Sequence, residues 1–163
     1  MRLVRNVGLT TVLDRDTSQT LMNQDLILWP LLAQVLLVIA LFIRLGQLKD
    51  RARAADAVDL SLAALDNDAW PDDVRRVANN IRNQSQVPVL FFVLVLALFA
   101  RGSVDVFAVA VAWLFVVSRV LHSAIHIGST YVPYRSRVFK LGLVCIVVLV
   151  GLLIRALIQT PLS

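Results

Sequence analysis

The sequence predicts an all-α integral membrane protein, a bundle of four transmembrane helices in a single domain. Its 163 residues are 58% hydrophobic with a mean hydropathy of +0.76, whereas a soluble domain is nearer 45–50% apolar. A membrane helix needs roughly 20 residues, and four apolar segments come close to this length, one of them only together with the polar stretch before it. Short turns between neighbouring segments favour antiparallel packing of successive helices.

The first two spans differ in their polarity. The first is predicted over residues 26–43 and ends at Arg44; Pro30 near its start removes an N–H where that matters least. The second apolar core, residues 87–100, is too short to cross a bilayer by itself. The polar stretch before it has helical character, so we predict one helix over about residues 74–100.

The third and fourth spans are predicted over about residues 104–127 and 138–158. The triplet Arg101-Gly102-Ser103 predicts a tight turn before the third span, and Pro133 lies in the connection that precedes the fourth. The domain is therefore expected over residues 22–163.

Residues 1–21 are polar and lack the apolar core of a secretory signal. We predict that they form a polar tail. Because Met22 stands just before the first span, the segment is also interpreted as an over-extended start.

Basic residues are distributed unequally between the two sides of the predicted bundle. Ten of the sixteen fall in the two connections that follow the first and third spans: Arg44, Lys49, Arg51, Arg53, Arg75, Arg76, Arg82, Arg135, Arg137 and Lys140. The positive-inside rule then places both connections in the cytoplasm, and a bacterial inner membrane is the expected location. Because these charges adjoin apolar segments, anionic lipid explains the pI of about 10.3 better than nucleic acid, which we exclude as a partner.

Three ionisable residues interrupt the third span at helical spacing. Arg119, His122 and His126 are three and four residues apart, so they share one helix face. An arginine within a membrane costs about 2.5–3.5 kcal/mol on insertion scales, and function is the default hypothesis for it. The alternative is that Arg119 snorkels or pairs with a neighbouring helix for structural reasons alone.

Side-chain amides and arginines line the polar beginning of the second span. Arg76, Asn80 and Asn83 follow one helical face, and Gln86 belongs to the neighbouring one. Such donors fit a polar, anionic ligand that enters from the cytoplasmic side. The alternative interpretation is that this polar stretch is a hydrated helix end, whose side chains form hydrogen bonds with lipid headgroups and water.

Three segments of the sequence are distinctive when taken together: NNIRNQSQVPVLFF, SRVLHSAIH and YVPYRSR. They resemble the MAPEG family, the membrane-associated proteins in eicosanoid and glutathione metabolism, in its bacterial type, and the resemblance covers about residues 26–158. It implies a four-helix fold, a homotrimer, and glutathione bound between subunits near the cytoplasmic face, where its thiol is activated.

The family's second-helix motif fits this sequence in two registers. Its asparagine and glutamate correspond to Asn83 and Gln86, which replaces the carboxylate with an amide. In the other register its arginine and asparagine correspond to Arg76 and Asn80, and Asn83 takes the glutamate position. The resemblance thus implies that these four residues bind glutathione, in one register or the other.

The remaining site residues come from the third and fourth helices of the family. Arg119 and His122 match its arginine and its following aromatic or histidine, His126 stands where conjugating members often have tyrosine, and Tyr131 or Tyr134 supplies a replacement hydroxyl. The thiolate-stabilising arginine corresponds to Arg135 or Arg137, with Arg135 preferred. A guanidinium beside the sulfur lowers the pKa of a thiol.

These features predict a glutathione transferase or glutathione-dependent peroxidase that acts on lipophilic small molecules, with glutathione as co-substrate. A non-catalytic scaffold, or a trimer that binds lipid or another small ligand, is the alternative, favoured by the loss of the glutamate and the tyrosine. The pair His122 and His126 also has the spacing of metal ligands, but the sequence around it supplies no third ligand. Zinc-finger, phosphate-loop and GxSxG motifs are absent from the sequence.

Overall fold

Helices form most of the computed structural model, which describes residues 24–128 and 132–159. In chain order they are α1 Leu28–Ala54, α2 Leu60–Ala63, α3 Asp72–Gln84, α4 Val87–Ala100, α5 Val106–Gly128 and α6 Val132–Gln159, with a 3-10 turn at Asn67–Ala69. Four stretches are long and apolar enough to cross a membrane: α1, Asp72–Ala100, α5 and Pro133–Gln159. No strand occurs among the described residues. The prediction of an all-α bundle with four spans is confirmed; residues 1–21 and Tyr131 lie outside the described part.

Helix α1 continues well beyond the apolar stretch that predicted it. Arg44 does not end the helix, which runs on to Ala54 through good helix formers. Arg51 and Arg53 lie in its last turn, where positive charge is favourable at the end of the helix dipole. Asp56, at a φ of 50°, then turns the chain away.

The second span was predicted as one helix, and this is wrong: it consists of two helices with a break between them. Ser85 and Gln86 separate α3 from α4, and Pro88 stands at the start of α4. A proline ring clashes with the carbonyl four residues earlier, here that of Gln84, so a continuous helix is disfavoured at this point. The Ser85 hydroxyl caps α3 by donating to the Ile81 carbonyl at 3.0 Å.

The predicted turn before the third span is present. Gly102 takes a φ of 60°, a conformation that glycine adopts without steric cost, and the Ser103 N–H bonds to the Leu98 carbonyl at 3.1 Å. The side chain of Gln24 fixes the turn, donating to Gly102 O at 2.9 Å and accepting from Val104 N at 3.1 Å. One end of the bundle is thereby closed.

The other end carries most of the positive charge, and we call it the basic end. Here α1 and α5 finish and α3 and α6 begin. Helix α6 starts at Val132, so Pro133 lies in its first turn and not, as predicted, in the connection before it; a proline is tolerated there because the N–H it lacks would have no partner within the helix. Its apolar core consists of Leu41, Leu48, Ala52, Trp70, Val74, Val77 and Ile81. Trp70 is buried, and Lys49 Nζ lies 4.6 Å from the centre of its ring, a cation–π contact.

A second apolar core fills the rest of the bundle. It joins α4, α5 and α6 through residues such as Leu94, Leu98, Ala112 and Leu149. The rings of Phe91 and Phe115 stack with centroids 4.4 Å apart. Between this core and the basic-end core lies a layer of buried polar side chains: Gln34, Asn80, Gln84, Ser118, Arg119, His122, Ser123 and His126.

Candidate functional site

Four amide and hydroxyl side chains link three helices across the polar layer. Gln34 Nε2 on α1 donates to Gln84 Oε1 on α3 at 3.2 Å, and Gln84 Nε2 donates to Ser123 Oγ on α5 at 2.7 Å. Ser123 Oγ in turn donates to Asn80 Oδ1 at 3.4 Å. Gln84 is the centre of this network, since its amide also lies 3.5 Å from the Arg119 carbonyl oxygen. The network satisfies polar groups that would be costly to bury alone.

Arg119 is fully buried at the middle of the layer. Its guanidinium lies between two aromatic rings, 5.6 Å from the centre of Phe115 and 5.2 Å from that of Phe139. Within the described residues its Nε, Nη1 and Nη2 atoms have no hydrogen-bond partner. A buried cation without a counter-charge is costly, so this position favours a nearby anion.

The two histidines continue the same face of α5 toward the basic end, as their spacing predicts. Both are buried, and their ring centroids are 5.8 Å apart. The His122 ring also lies 5.9 Å from that of Phe139. Both nitrogens of His122 and Nδ1 of His126 have no hydrogen-bond partner among the described residues, although Arg135 is close enough to interact electrostatically with both rings.

A pocket of about 320 Å³ opens beside these histidines at the basic end. Its lining combines α3, α5 and α6 through Asn83, His122, Arg135, Ser136 and Phe139. Because His122 and Phe139 also adjoin Arg119, they separate the pocket from the buried guanidinium. The pocket thus offers hydrogen-bond donors at its wall and a second positive charge behind it.

The structure brings together only part of the predicted site. Asn83, His122 and Arg135 line the pocket, and Asn80, Arg119 and His126 lie in the adjoining polar layer. Arg76 and Gln86 are exposed on the outside of the second span. Although periodicity put Arg76 on one face with Asn80 and Asn83, the bundle buries Asn80, leaves Asn83 partly buried and leaves Arg76 outside.

The two candidate arginines of α6 have different surroundings. Arg135 is partly buried at the pocket, whereas Arg137 is exposed and stands 5.7 Å from the centre of the Tyr134 ring. Tyr134 itself is 55% exposed and does not line the pocket. Arg135 is therefore the one placed to act on a ligand in the pocket.

Sequence reasoning missed several residues of this region. Gln84 and Ser123 complete the amide network, and Ser136 and Phe139 complete the pocket. Gln34 gave a usable signal, because it is the one strongly polar residue inside the first span. A polar side chain inside an apolar membrane span needs a polar partner, which a neighbouring helix can supply.

The histidine pair gains no third metal ligand in the structure. Within residues 24–128 and 132–159, no group of three or more His, Cys, Asp or Glu side chains is placed to hold a metal ion. The described part of the site is a pocket lined by hydrogen-bond donors beside the buried guanidinium of Arg119.

Comparison with known proteins identifies one family. The model of the MAPEG family matches residues 27–155, which is most of the chain and includes the first three spans and all but the last four residues of the fourth. No curated protein and no solved structure matches the chain.

Proposed function

Because the chain belongs to the MAPEG family, we propose that it is a membrane-bound glutathione transferase or glutathione-dependent peroxidase that conjugates or reduces lipophilic electrophiles. The family includes glutathione transferases, peroxidases and non-catalytic members. One observation carries the proposal: Arg135 and His122 line one pocket with Asn83, at the end of a membrane bundle. A polar thiol and an electrophile dissolved in the bilayer can meet at such a position.

Arg135 is the proposed thiol-activating residue. A guanidinium near the sulfur stabilises the thiolate and so raises the nucleophile's concentration at neutral pH. Its place in the pocket supports this role, whereas the exposed position of Arg137 over Tyr134 does not. Arg119 acts at longer range, as a buried positive charge behind the pocket wall.

The other polar groups bind and orient the thiol. Asn83 and Ser136 supply an amide and a hydroxyl to the peptide-like part of the ligand, and His122 supplies a ring nitrogen without an internal partner. Asn80 and His126 support the wall from within the polar layer. Glutathione is thus the proposed co-substrate.

Assembly and orientation follow from the same premise. We propose a homotrimer in which the exposed side chains of Arg76 and Gln86 lie against a neighbouring subunit and complete its site, with Tyr131 also contributing. The protein lies in a bacterial inner membrane with its basic end on the cytoplasmic side, a proposal that the uneven distribution of basic residues supports. Bilayer lipid surrounds the assembly.

The decisive experiment compares Arg135→Ala with Arg44→Ala, which removes an exposed arginine of the first helix outside the pocket. The purified protein is mixed with glutathione, and thiolate formation is followed by ultraviolet absorbance together with conjugation and peroxide turnover. We expect Arg135→Ala to lose about 10²-fold or more in turnover, the usual effect of removing a transition-state donor, while Arg44→Ala keeps its activity. Absence of thiolate and turnover in the unsubstituted protein would contradict the enzymatic proposal.

A non-catalytic trimer that binds lipid or another small ligand is the second candidate. Gln86, exposed and uncharged where the family has glutamate, favours it. Saturable glutathione binding without any turnover would support this function over catalysis.

A further inference from the structure

The pocket at the basic end carries positive charge and contains no carboxylate. Its polar lining is Arg135, His122, Asn83 and Ser136, and Arg119 lies behind it. The whole chain lacks glutamate, so any negative side chain must come from one of its eleven aspartates.

None of the described aspartates is part of this lining. Asp72 and Asp73 are at the first turn of α3, ten or more residues before Asn83 and therefore about 15 Å away along the helix. Asp105 is at the opposite end of the bundle, where it pairs with Arg155 at 3.5 Å. Asp50 and Asp68 are paired with Arg53 and Arg75 at the surface.

Such a lining treats the charged groups of a ligand unequally. A carboxylate meets Arg135 directly and is attracted by the charge of Arg119, in surroundings that screen less than bulk water. A free ammonium group meets the same two guanidinium charges. The lining offers it only neutral acceptors, which are the oxygens of Asn83 and Ser136 and a ring nitrogen of His122. Attraction to one end of a zwitterionic ligand is thus offset by repulsion at the other.

On the premise of the proposed function, we infer that the pocket prefers an anionic thiol whose amino group is acylated or absent over one with a free ammonium group. Acylation removes the positive charge and leaves a neutral amide, which Asn83 and Ser136 satisfy. The carboxylates and the thiol remain to bind Arg135. Among low-molecular-weight thiols, the pocket is then expected to favour N-acylated or deaminated ones over glutathione, which remains a substrate.

The test compares glutathione with N-acetylglutathione, which has the same thiol and both carboxylates but no ammonium group. Thiol-dependent conjugation is measured with the purified, fully assembled protein, and kcat/KM is obtained for each thiol. We expect the acetylated thiol to have the higher kcat/KM. An equal or lower kcat/KM for the acetylated thiol would overturn the inference, and a lower one would point to a carboxylate, from this subunit or its neighbour, that pairs with the ammonium.

A charge substitution provides the converse test. Asn83→Asp places a carboxylate of nearly the same shape on the pocket wall, and we expect it to shift the preference about tenfold toward glutathione, the effect of one charge-assisted hydrogen bond. Gln47→Glu is the matched control, because it makes the same amide-to-carboxylate change on the exposed surface of α1. An unchanged preference in the Asn83→Asp protein would argue against the inference.

Failure of the proposed function would give a different experimental result from failure of the inferred thiol preference. If neither thiol is turned over or forms a thiolate, the protein is not a thiol-dependent enzyme. If glutathione is turned over and is the better substrate, the enzyme assignment stands and only the preference is wrong.

Discussion

Gly142 provides the space in which the guanidinium of Arg119 lies. A Cβ atom at residue 142 would stand 2.7 Å from Arg119 Nη2 and 2.9 Å from Ser118 Oγ, both closer than van der Waals contact allows. The missing side chain of α6 thus accommodates the longest buried side chain of α5.

Gly142→Ala is therefore expected to destabilise the bundle. The added methyl group must displace the guanidinium, whose neighbours Phe115 and Phe139 leave it little room, and such overpacking costs about 1–3 kcal/mol. Thermal unfolding in detergent measures the effect. Gly151→Ala is the control, because nothing lies within 4 Å of its added methyl and alanine favours a helix by up to about 1 kcal/mol. Equal stability of the two variants would refute the argument.

The bond between Gln34 and Gln84 is expected to couple the first and second spans energetically. In a double-mutant cycle, Gln34→Leu and Gln84→Leu together should destabilise less than the sum of the single substitutions, because each one alone strands a buried amide. Hydrogen bonds within membranes show couplings of about 0.6 kcal/mol, and at most about 1.7 kcal/mol. Replacing Gln34 and the exposed Gln47 together should give additive effects. Additivity of the first pair would mean that the bond contributes nothing.

Asp59 makes the short helix α2 sensitive to acid. Hydrogen bonds from the Ser61 hydroxyl, then from the Ser61 and Leu62 backbone N–H groups, hold the pKa of this exposed carboxyl below its usual 3.8. A depressed pKa means that the cap stabilises α2 fully above pH 3.8 and loses this effect as the pH falls through the pKa of the folded state.

Amide hydrogen exchange at Ser61 and Leu62 tests this cap. Their protection factors should fall with acid in the unsubstituted protein, while Asp59→Asn, whose neutral side chain also caps a helix, should show no acid transition. Constant protection of the unsubstituted protein across the acid titration would contradict the expectation.

The three tryptophans are expected to differ in their contact with lipid. Trp29 and Trp113 are 62% and 42% exposed on spanning helices, whereas Trp70 is only 7% exposed and lies in the basic-end core. In variants that retain one tryptophan, brominated lipids should quench Trp29 and Trp113 strongly and Trp70 weakly. Strong quenching of Trp70 would show that the basic end is inserted differently.

The sequence was sufficient to predict the spans because hydropathy depends on local composition. The spacing of Arg119, His122 and His126 also sufficed to place them on one helix face, since a helix repeats every 3.6 residues. Helix ends were less predictable. The apolar stretch of the first span stops at Ile43, but the backbone continues to Ala54 because charged residues with long side chains are good helix formers.

The contacts between helices were beyond sequence reasoning. Gln84 acquires its role from Gln34 and Ser123, which are 50 and 39 residues away in the chain. Gly142 is one of six glycines, and nothing near it in the sequence distinguishes it from Gly151. Arg76 illustrates the same limit, because periodicity grouped it with Asn80 but only the packed bundle determines which of the two is buried.

The layer of polar side chains between two apolar cores determines how the helices align along their axes. Leucine and valine surfaces tolerate sliding, since one apolar contact replaces another at similar energy. A shift of α1 or α5 by one turn would instead separate Gln34, Gln84 and Ser123 and bury their amides and hydroxyl against hydrocarbon. Buried polar residues specify register in coiled coils in the same way. The polar layer therefore selects one axial register of the helices, whereas apolar contacts alone would permit several.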